Sequence, residues 1–324
     1  YQLINPSKYF EKNEKNHGLR IARLDGVFYY KLTSENLYNF IKQRRFIDFL
    51  PVKYVPDLVL EKFTYIFNYH LNRFNRRLIS SSDALIFQSE LSLRMHTKFI
   101  GEGLKNKPHT TILNGVPTSI FHPMGEMMNL EGTPRLVITA SFRLHKRLHE
   151  AIRIVNKLSK KHKTIKLHVI GSMDILTEKN MSTLDCTNVI FHGNIDSKFL
   201  PNYYSSCDVG LSPSLFDPCP NSVVEMVACG LPVITLKESG AAEIIKHPDL
   251  IIDENIDLNY MELQTVEKLP ALNVERWCDV IENILDNKSH YSESMLARVE
   301  EDLDINIVAS RYAKFITRVH NVSS

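Results

Sequence analysis

The sequence predicts an α/β protein built from two doubly wound, Rossmann-like domains, and three observations predict it. The first is length: 324 residues exceed the roughly 100–200 of one typical domain. The second is alternation, since short apolar runs separated by helical patterns mean βαβ units and a parallel sheet. The third is punctuation. A Pro- and Gly-rich stretch, Pro117–Pro134, divides the chain near one third of its length, as a linker would.

The elements follow in order. In the first half Leu19–Leu24, Ala84–Gln88 and Thr110–Leu113 read as strands, ending at Asp25-Gly26, Ser89-Glu90 and Asn114-Gly115. A long helical and aromatic region, Glu35 to Ile79, lies between the first two. In the second half Leu136–Ala140 is followed by a helical pattern through Leu148, Ile152, Val155 and Leu158. Further strands are expected at Leu167–Ile170, Val189–Phe191, Val209–Leu211, Val233–Thr235 and Leu250–Ile252. The helix Ser222–Ala228 is stopped by Gly230 and Pro232, a Gly then Pro ending. Apolar residues at Ile305, Val308, Tyr312, Phe315, Ile316 and Val319 have helical spacing.

Composition narrows the class. At 44% hydrophobic and 23% charged the chain can build an ordinary soluble core. No run approaches the ~18 apolar residues of a membrane span, and no basic-then-apolar leader stands at the start. The first residue is Tyr1, so the first domain is expected to be either short or truncated. Five cysteines, Cys186, Cys207, Cys219, Cys229 and Cys278, form no CxxC pair, which fits reduced thiols in a cytoplasmic protein. Net charge is +2 overall, yet it divides into +8 for residues 1–125 and −6 for the rest. A basic first half suits an anionic membrane surface or a phosphate-bearing acceptor; no nucleic-acid motif is present. The basic, aromatic stretches Phe40–Phe46 and Asn72–Arg77 are where peripheral membrane contact would fall, although solvated helix faces with core aromatics read the same way.

Two constellations carry chemistry. Asp217 lies in a loop after a strand, and Glu225 lies eight positions on, in the next helix. Ligands of open α/β sheets bind outside the carboxyl ends of strands, and a helix N-terminus there favours phosphate. Acids beside that end suit neutral hydroxyls of a sugar or ribose. Spacing alone also allows two solvated carboxylates, one capping a helix. The second constellation is Ser141-Phe-Arg143-Leu-His-Lys146-Arg147, after strand 135–140 and opening a helix. Cations there oppose the helix dipole unless an anion is nearby, and a diphosphate is such an anion.

Residues 189–245 resemble the donor half of family-4-type retaining glycosyltransferases of the GT-B superfamily. The matching segments are Val-Ile-Phe-His-Gly-Asn, Tyr203-Tyr204-Ser-Ser-Cys-Asp208, Asp217 to Glu225, Ala228-Cys-Gly-Leu-Pro-Val-Ile and Ser239-Gly-Ala-Ala-Glu243. The resemblance implies that Glu225 binds ribose hydroxyls, Asp217 binds hydroxyls of the transferred sugar, and Arg143 and Lys146 bind the diphosphate. His192, Gly193, Cys219, Asn221 and Ser222 complete the implied donor site. Asp217 stands where the family usually has Glu, and Pro218 and Pro220 remove two N–H donors. Phe87-Gln-Ser-Glu90 and Asn114-Gly-Val also resemble family segments, whereas the family's opening strand and glycine-rich loop are not found before Leu19.

Other groupings carry less. His145, His149 and Glu150 superficially form a metal-binding helix face, but no third ligand is visible. Asp302-Leu-Asp304 sits in a charged helical stretch and reads as solvated surface. Asp25 ends a strand on the presumed cleft, and reads either as a catalytic carboxylate or as a turn Asp bonded to its own backbone.

The expectation is therefore an acceptor domain at 1–125, a donor domain at 126–304 and a last helix at 305–324 that returns to the first. Asp25, Arg143, Lys146 and Asp217 are the expected catalytic residues, with no metal and no cofactor apart from the nucleotide-sugar substrate. The acceptor is expected to be a glycan or a lipid-linked group. Rival readings are a non-catalytic sugar- or partner-binding relative and a GT-B epimerase or phosphorylase.

Overall fold

The computed structural model describes residues 19–25, 72–125, 128–256 and 270–323. In the first half, strands β1 (Ile21–Leu24), β2 (Ala84–Phe87) and β3 (His109–Thr111) form a parallel sheet in the order β1-β2-β3. Helices α1 (Arg73–Ser81) and α2 (Glu90–Ile100) accompany it. All four residues of β2 are buried, because helices cover both of its faces and parallel strands then become continuously apolar. The stretch Phe40–Phe46 lies outside the described residues. In the stretch Asn72–Arg77, Arg76 turns inward and donates to the carbonyls of Phe99 and Ile100 at 3.0 and 2.9 Å.

The second half continues with β4 (Arg135–Thr139), α3 (Leu148–Leu158), β5 (Lys166–Ile170), α4 (Ile175–Met181) and β6 (Val189–Gly193). Then come α5 (Leu200–Ser206), β7 (Val209–Ser212), α6 (Asn221–Ala228), β8 (Val233–Leu236), α7 (Gly240–Ile245) and β9 (Ile251–Ile252). The six strands are parallel in the order β6-β5-β4-β7-β8-β9. From β4 the chain first winds outward through β5 and β6, then returns to build β7, β8 and β9 on the other side. That reversal leaves a crevice beyond the carboxyl ends of β4 and β7, where such sheets bind ligands. Helix α8 (Val274–Asp286) buries Trp277, Ile281 and Ile284 and packs on α3. Helix α9 (Lys288–Arg298) leads through a π-helical turn, Val299–Leu303, into α10 (Ile305–Ser323).

Helix α10 crosses back to the first sheet. Its Val308, Phe315 and Val319 are buried against Ala84, Ile86 and Ile112. Burying side chains of this size contributes about 1.5–3 kcal/mol each, enough to hold a helix away from the half it follows. The two chain crossings run side by side: Val116 N–H donates to Leu303 O at 2.9 Å, and Ile305 N–H to Val116 O at 3.0 Å. Gly115 permits this approach, since a Cβ there would lie 3.0 Å from Ile305 Cδ1 and from Val308 Cβ. Elsewhere on the seam, Glu243 of α7 accepts from the N–H groups of Glu90 and Leu91 at 2.7 and 2.8 Å. It thereby satisfies the first turn of a helix in the other half.

Asp302-Leu-Asp304 departs from the sequence reading. Asp302 is buried and meets Arg298 at 2.8 Å, Lys246 at 3.0 Å and Arg311. Burial opposes its charge, but hydrogen bonds from Arg311, Lys246 and Arg298 outweigh that and hold the carboxyl well below the usual range. Asp304 accepts from Thr118 Oγ1 at 2.7 Å and from the Asn306 N–H at 2.8 Å. The pair is a fastening between the halves instead of solvated surface, because its partners come from the residue that follows α7, from α9 and α10, and from the linker.

Candidate functional site

A cavity of about 440 Å³ occupies the crevice beyond β4 and β7. Its wall takes Thr139, Ala140, Ser141 and Lys146 from the β4 side, Ile170–Ser172 after β5, and Asn194 and Ile195 after β6. Asp217, Cys219, Pro220, Asn221 and Ser222 close it from the β7–α6 connection. The floor depends on Gly171, whose φ is +129° and whose Cβ would fall 1.9 Å from Ala140 O. Its N–H donates to Gly193 O at 2.7 Å. The ends of β4, β5 and β6 thus meet without a side chain between them.

Lys146 and Asp217 meet inside the cavity, the Lys146 Nζ donating to Asp217 Oδ2. Both side chains are largely covered, at 20% and 11% exposure, so the pair is poorly screened. Each is presented by a residue in left-handed conformation: Arg147 at φ 57° follows Lys146, and Phe216 at φ 53° precedes Asp217. Non-glycine residues there cost about 1–3 kcal/mol each and persist only where the surroundings enforce them. Enforcement is visible. Phe216 N–H donates to Glu238 O at 2.9 Å, Gly240 N–H to Asp217 O at 2.7 Å, and Leu215 N–H to His145 O at 3.2 Å. Arg147 is fully buried and its guanidinium donates to Pro270 O. His145 is pushed down to about 4 by burial, with the Lys146 charge adding to it, so the imidazole is neutral and adds no positive charge.

Glu225 sits on α6 one turn beyond Ser222, with the Tyr204 hydroxyl 3.5 Å from its Oε2. Burial raises its carboxyl to about 7, against the opposing hydrogen bond from Tyr204. The α6 start is tied to the first half by Asn114. Its Nδ2 donates to Cys219 O at 3.2 Å and to Asn221 Oδ1 at 2.6 Å, and its backbone N–H points at Cys219 Sγ at 3.4 Å.

Of the residues expected from sequence, the fold brings Lys146, Asp217, Cys219, Asn221 and Ser222 to the cavity wall. Gly193 stands behind the wall at the end of β6. His192 accompanies it, with its Nε2 2.9 Å from His168 Nδ1 and its ring against Tyr203. Arg143 is exposed and lies outside the wall, as does Glu225. Asp25 is in the first half, where its carboxylate accepts from Gln88 Nε2. Sequence reasoning gave no site role to Gly171, Ser172, Asn194 or Ile195, although each follows a strand it had identified, at the end where such sheets bind. It placed Tyr204 and Asn114 in family-like segments but gave them no site role, because no local pattern connects them to α6.

Two parallel α/β sheets of this kind, with the crevice at the reversal of strand order, match the fold of solved GT-B glycosyltransferase structures. Residues 128–264 match the family model described as Glycosyl transferases group 1. An uncharacterized glycosyltransferase of Methanocaldococcus jannaschii, MJ1607, is 33% identical over 99 residues, 30% of this chain and 25% of that protein. The match thus spans a quarter of that relative's length. Among solved structures, sucrose-phosphate synthase from Thermosynechococcus elongatus superposes with TM-score 0.62 at 15% identity, over 94% of this chain and 74% of the other. Anabaena HepE, solved in complex with UDP and glucose, superposes with TM-score 0.59 at 14% identity, over 89% of this chain and 77% of the other. These structures share the fold.

Proposed function

We propose that the chain is a glycosyltransferase that moves a hexose-type sugar from a nucleotide-sugar to a glycan or lipid-linked acceptor, with retention and without metal. The observation that carries this reading is the Lys146–Asp217 pair in the crevice at the β4–β7 reversal. A diphosphate needs a preorganised cation and a sugar needs a hydroxyl acceptor, and the pair supplies both within one contact. In the free protein the two neutralise each other. Binding exchanges Asp217 for phosphate oxygens at Lys146, and exchanges Lys146 for sugar hydroxyls at Asp217, so neither charge is left bare. The match of residues 128–264 and the UDP bound by HepE support a nucleoside diphosphate as carrier.

In the transfer, the bond from sugar C1 to the phosphate oxygen breaks and its electrons go to the diphosphate. The acceptor oxygen bonds C1 on the same face, and its proton passes to the departing phosphate oxygen. The chain's part is positioning and electrostatic stabilisation. Lys146, fixed by the turn that ends at Arg147, takes up negative charge as it grows on the leaving group. Glu225, one turn along α6, would hold the ribose.

The test is titration of the purified chain with UDP, GDP and ADP, and release of free nucleotide from the corresponding sugars. A hydrogen bond to a charged group contributes about 1.5–3 kcal/mol, so Lys146→Ala should weaken diphosphate binding at least roughly tenfold. If Lys146→Ala and Glu225→Gln both bind like the wild type, the site is misassigned. Tight binding with no nucleotide released from any donor would make the chain a binding protein.

A further inference from the structure

We propose that Asn114, contributed by the first half of the chain, is a positioning residue of the nucleotide site: it fixes which end of the Asn221 side-chain amide faces the cavity. The proposal rests on reading the crevice as a diphosphate site. Its argument is one of hydrogen-bond polarity. Side-chain amides can be turned either way, and only a network that begins and ends on groups of fixed character decides the matter. Such a network is present. Arg23, a donor only, donates through Nη2 to Asn114 Oδ1. Asn114 must therefore turn its NH2 the other way, and there it meets the Cys219 carbonyl, an acceptor only, at 3.2 Å. The second hydrogen of that NH2 goes to Asn221 at 2.6 Å, so Asn221 has to present its oxygen. What Asn221 then has left for the cavity it lines is its NH2, a donor.

The consequence is chemical. An oxygen-rich anion at the start of α6 is met by a donor from Asn221, whereas the opposite flip would offer it a lone pair. Asn114 is 105 and 107 residues from its two partners and belongs to the other half. The donor is therefore aimed only while the halves are apposed at this point. Nucleotide binding and that apposition are then linked, each favouring the other.

Isosteric replacement separates aiming from mere space-filling. Asn114→Asp keeps the shape, offers no hydrogen to Asn221, and makes the Asn221 amide turn its NH2 inward and its oxygen to the cavity. Affinity for UDP, GDP or ADP, whichever binds the wild type best, should fall about tenfold in Asn114→Ala and about a hundredfold in Asn114→Asp. In an Asn221→Ala background both changes at position 114 should alter affinity less than about twofold. Asn221→Asp, which leaves Asn114 intact and puts a fixed acceptor on the cavity, should also lose about a hundredfold. Arg94→Ala breaks a neighbouring contact between the halves, the 3.0 Å pair with Glu238, and should leave affinity unchanged.

The proposal is overturned if Asn114→Asp binds at least as well as Asn114→Ala. It is also overturned if the losses at position 114 persist in the Asn221→Ala background, which would mark simple repulsion or general loosening. Wild-type affinity in Asn221→Asp would overturn it without recourse to position 114. If Lys146→Ala abolishes binding while every Asn114 variant binds like the wild type, the aiming role alone fails. If the wild type binds none of the three diphosphates, the diphosphate reading fails and this one with it.

Discussion

Glu225→Gln should make the protein more stable at alkaline pH and leave it unchanged in acid, while weakening nucleotide binding. The Glu225 carboxyl ordinarily titrates at 4.5, and burial raises it to about 7 in the fold. Below pH 4.5 both folded and unfolded chains carry the proton. Between 4.5 and 7 the unfolded chain releases it and the folded chain keeps it, so stability falls as pH rises. Above 7 the loss is complete. At about 1.4 kcal/mol per pH unit, the total is on the order of 3 kcal/mol, an upper figure for a group that stays partly open to solvent. Glutamine keeps the size, stays neutral and can still accept from Tyr204, so the substitution restores what ionisation removes. Calorimetric melting at pH 4.5 and pH 8 would show a gain of several degrees at pH 8 only. The wild type should bind nucleotide more tightly as pH rises through 7, since the carboxylate is the form that accepts ribose hydroxyls, and the variant should lack that dependence. An equal gain at both pH values, or destabilisation at pH 8, would refute the assignment of burial as the cause.

Three further outcomes follow from the geometry. Phe315→Asp should cost several kcal/mol, since a charge would replace a side chain buried on the first sheet, and urea melts would report it; a loss under about 1 kcal/mol would argue against α10 bearing on that sheet. Gly171→Ala should abolish nucleotide binding, because its Cβ would sit 1.9 Å from Ala140 O at a φ of +129°; a variant that folds and binds normally would show that the cavity floor is not where the ligand rests. Transfer activity should survive exhaustive EDTA, with Lys146 taking the charge of the diphosphate. Loss restored by manganese would contradict that role.

Much of this arrangement is legible in the amino-acid order, and the exceptions have a common cause. Runs such as Val209–Leu211 and Val233–Thr235 announce buried parallel strands because they are continuously apolar. The position of Asp217 and Asn221 after one of them places both at its carboxyl end. Ile305–Val319 has an apolar stripe with nothing nearby in sequence to cover it, which points to a distant surface. What local order cannot convey is pairing between remote polar groups. Asp302 looks solvated until Lys246, Arg298 and Arg311 converge on it. Glu225 looks like an ordinary carboxylate until α5 brings Tyr204 beside it. Asn114 looks like a turn residue, and only the fold supplies Arg23 on one side and Asn221 on the other.

The side-by-side crossings at Val116 and Asp304 bear on how such a chain can be recombined. Spatially the first half comprises the β1–β3 sheet and α10, two pieces that lie at opposite ends of the sequence. A single splice in the 117–134 linker would therefore graft a new partner sheet onto a helix shaped for the old one. Ala84, Ile86 and Ile112 would lose their cover, and α10 would carry Phe315 and Val319 to a surface that does not match them. Exchange of the first half as a module requires two coordinated joints, one before the crossing at Val116 and one after that at Asp304. In this chain the unit of inheritance and the unit of packing do not coincide.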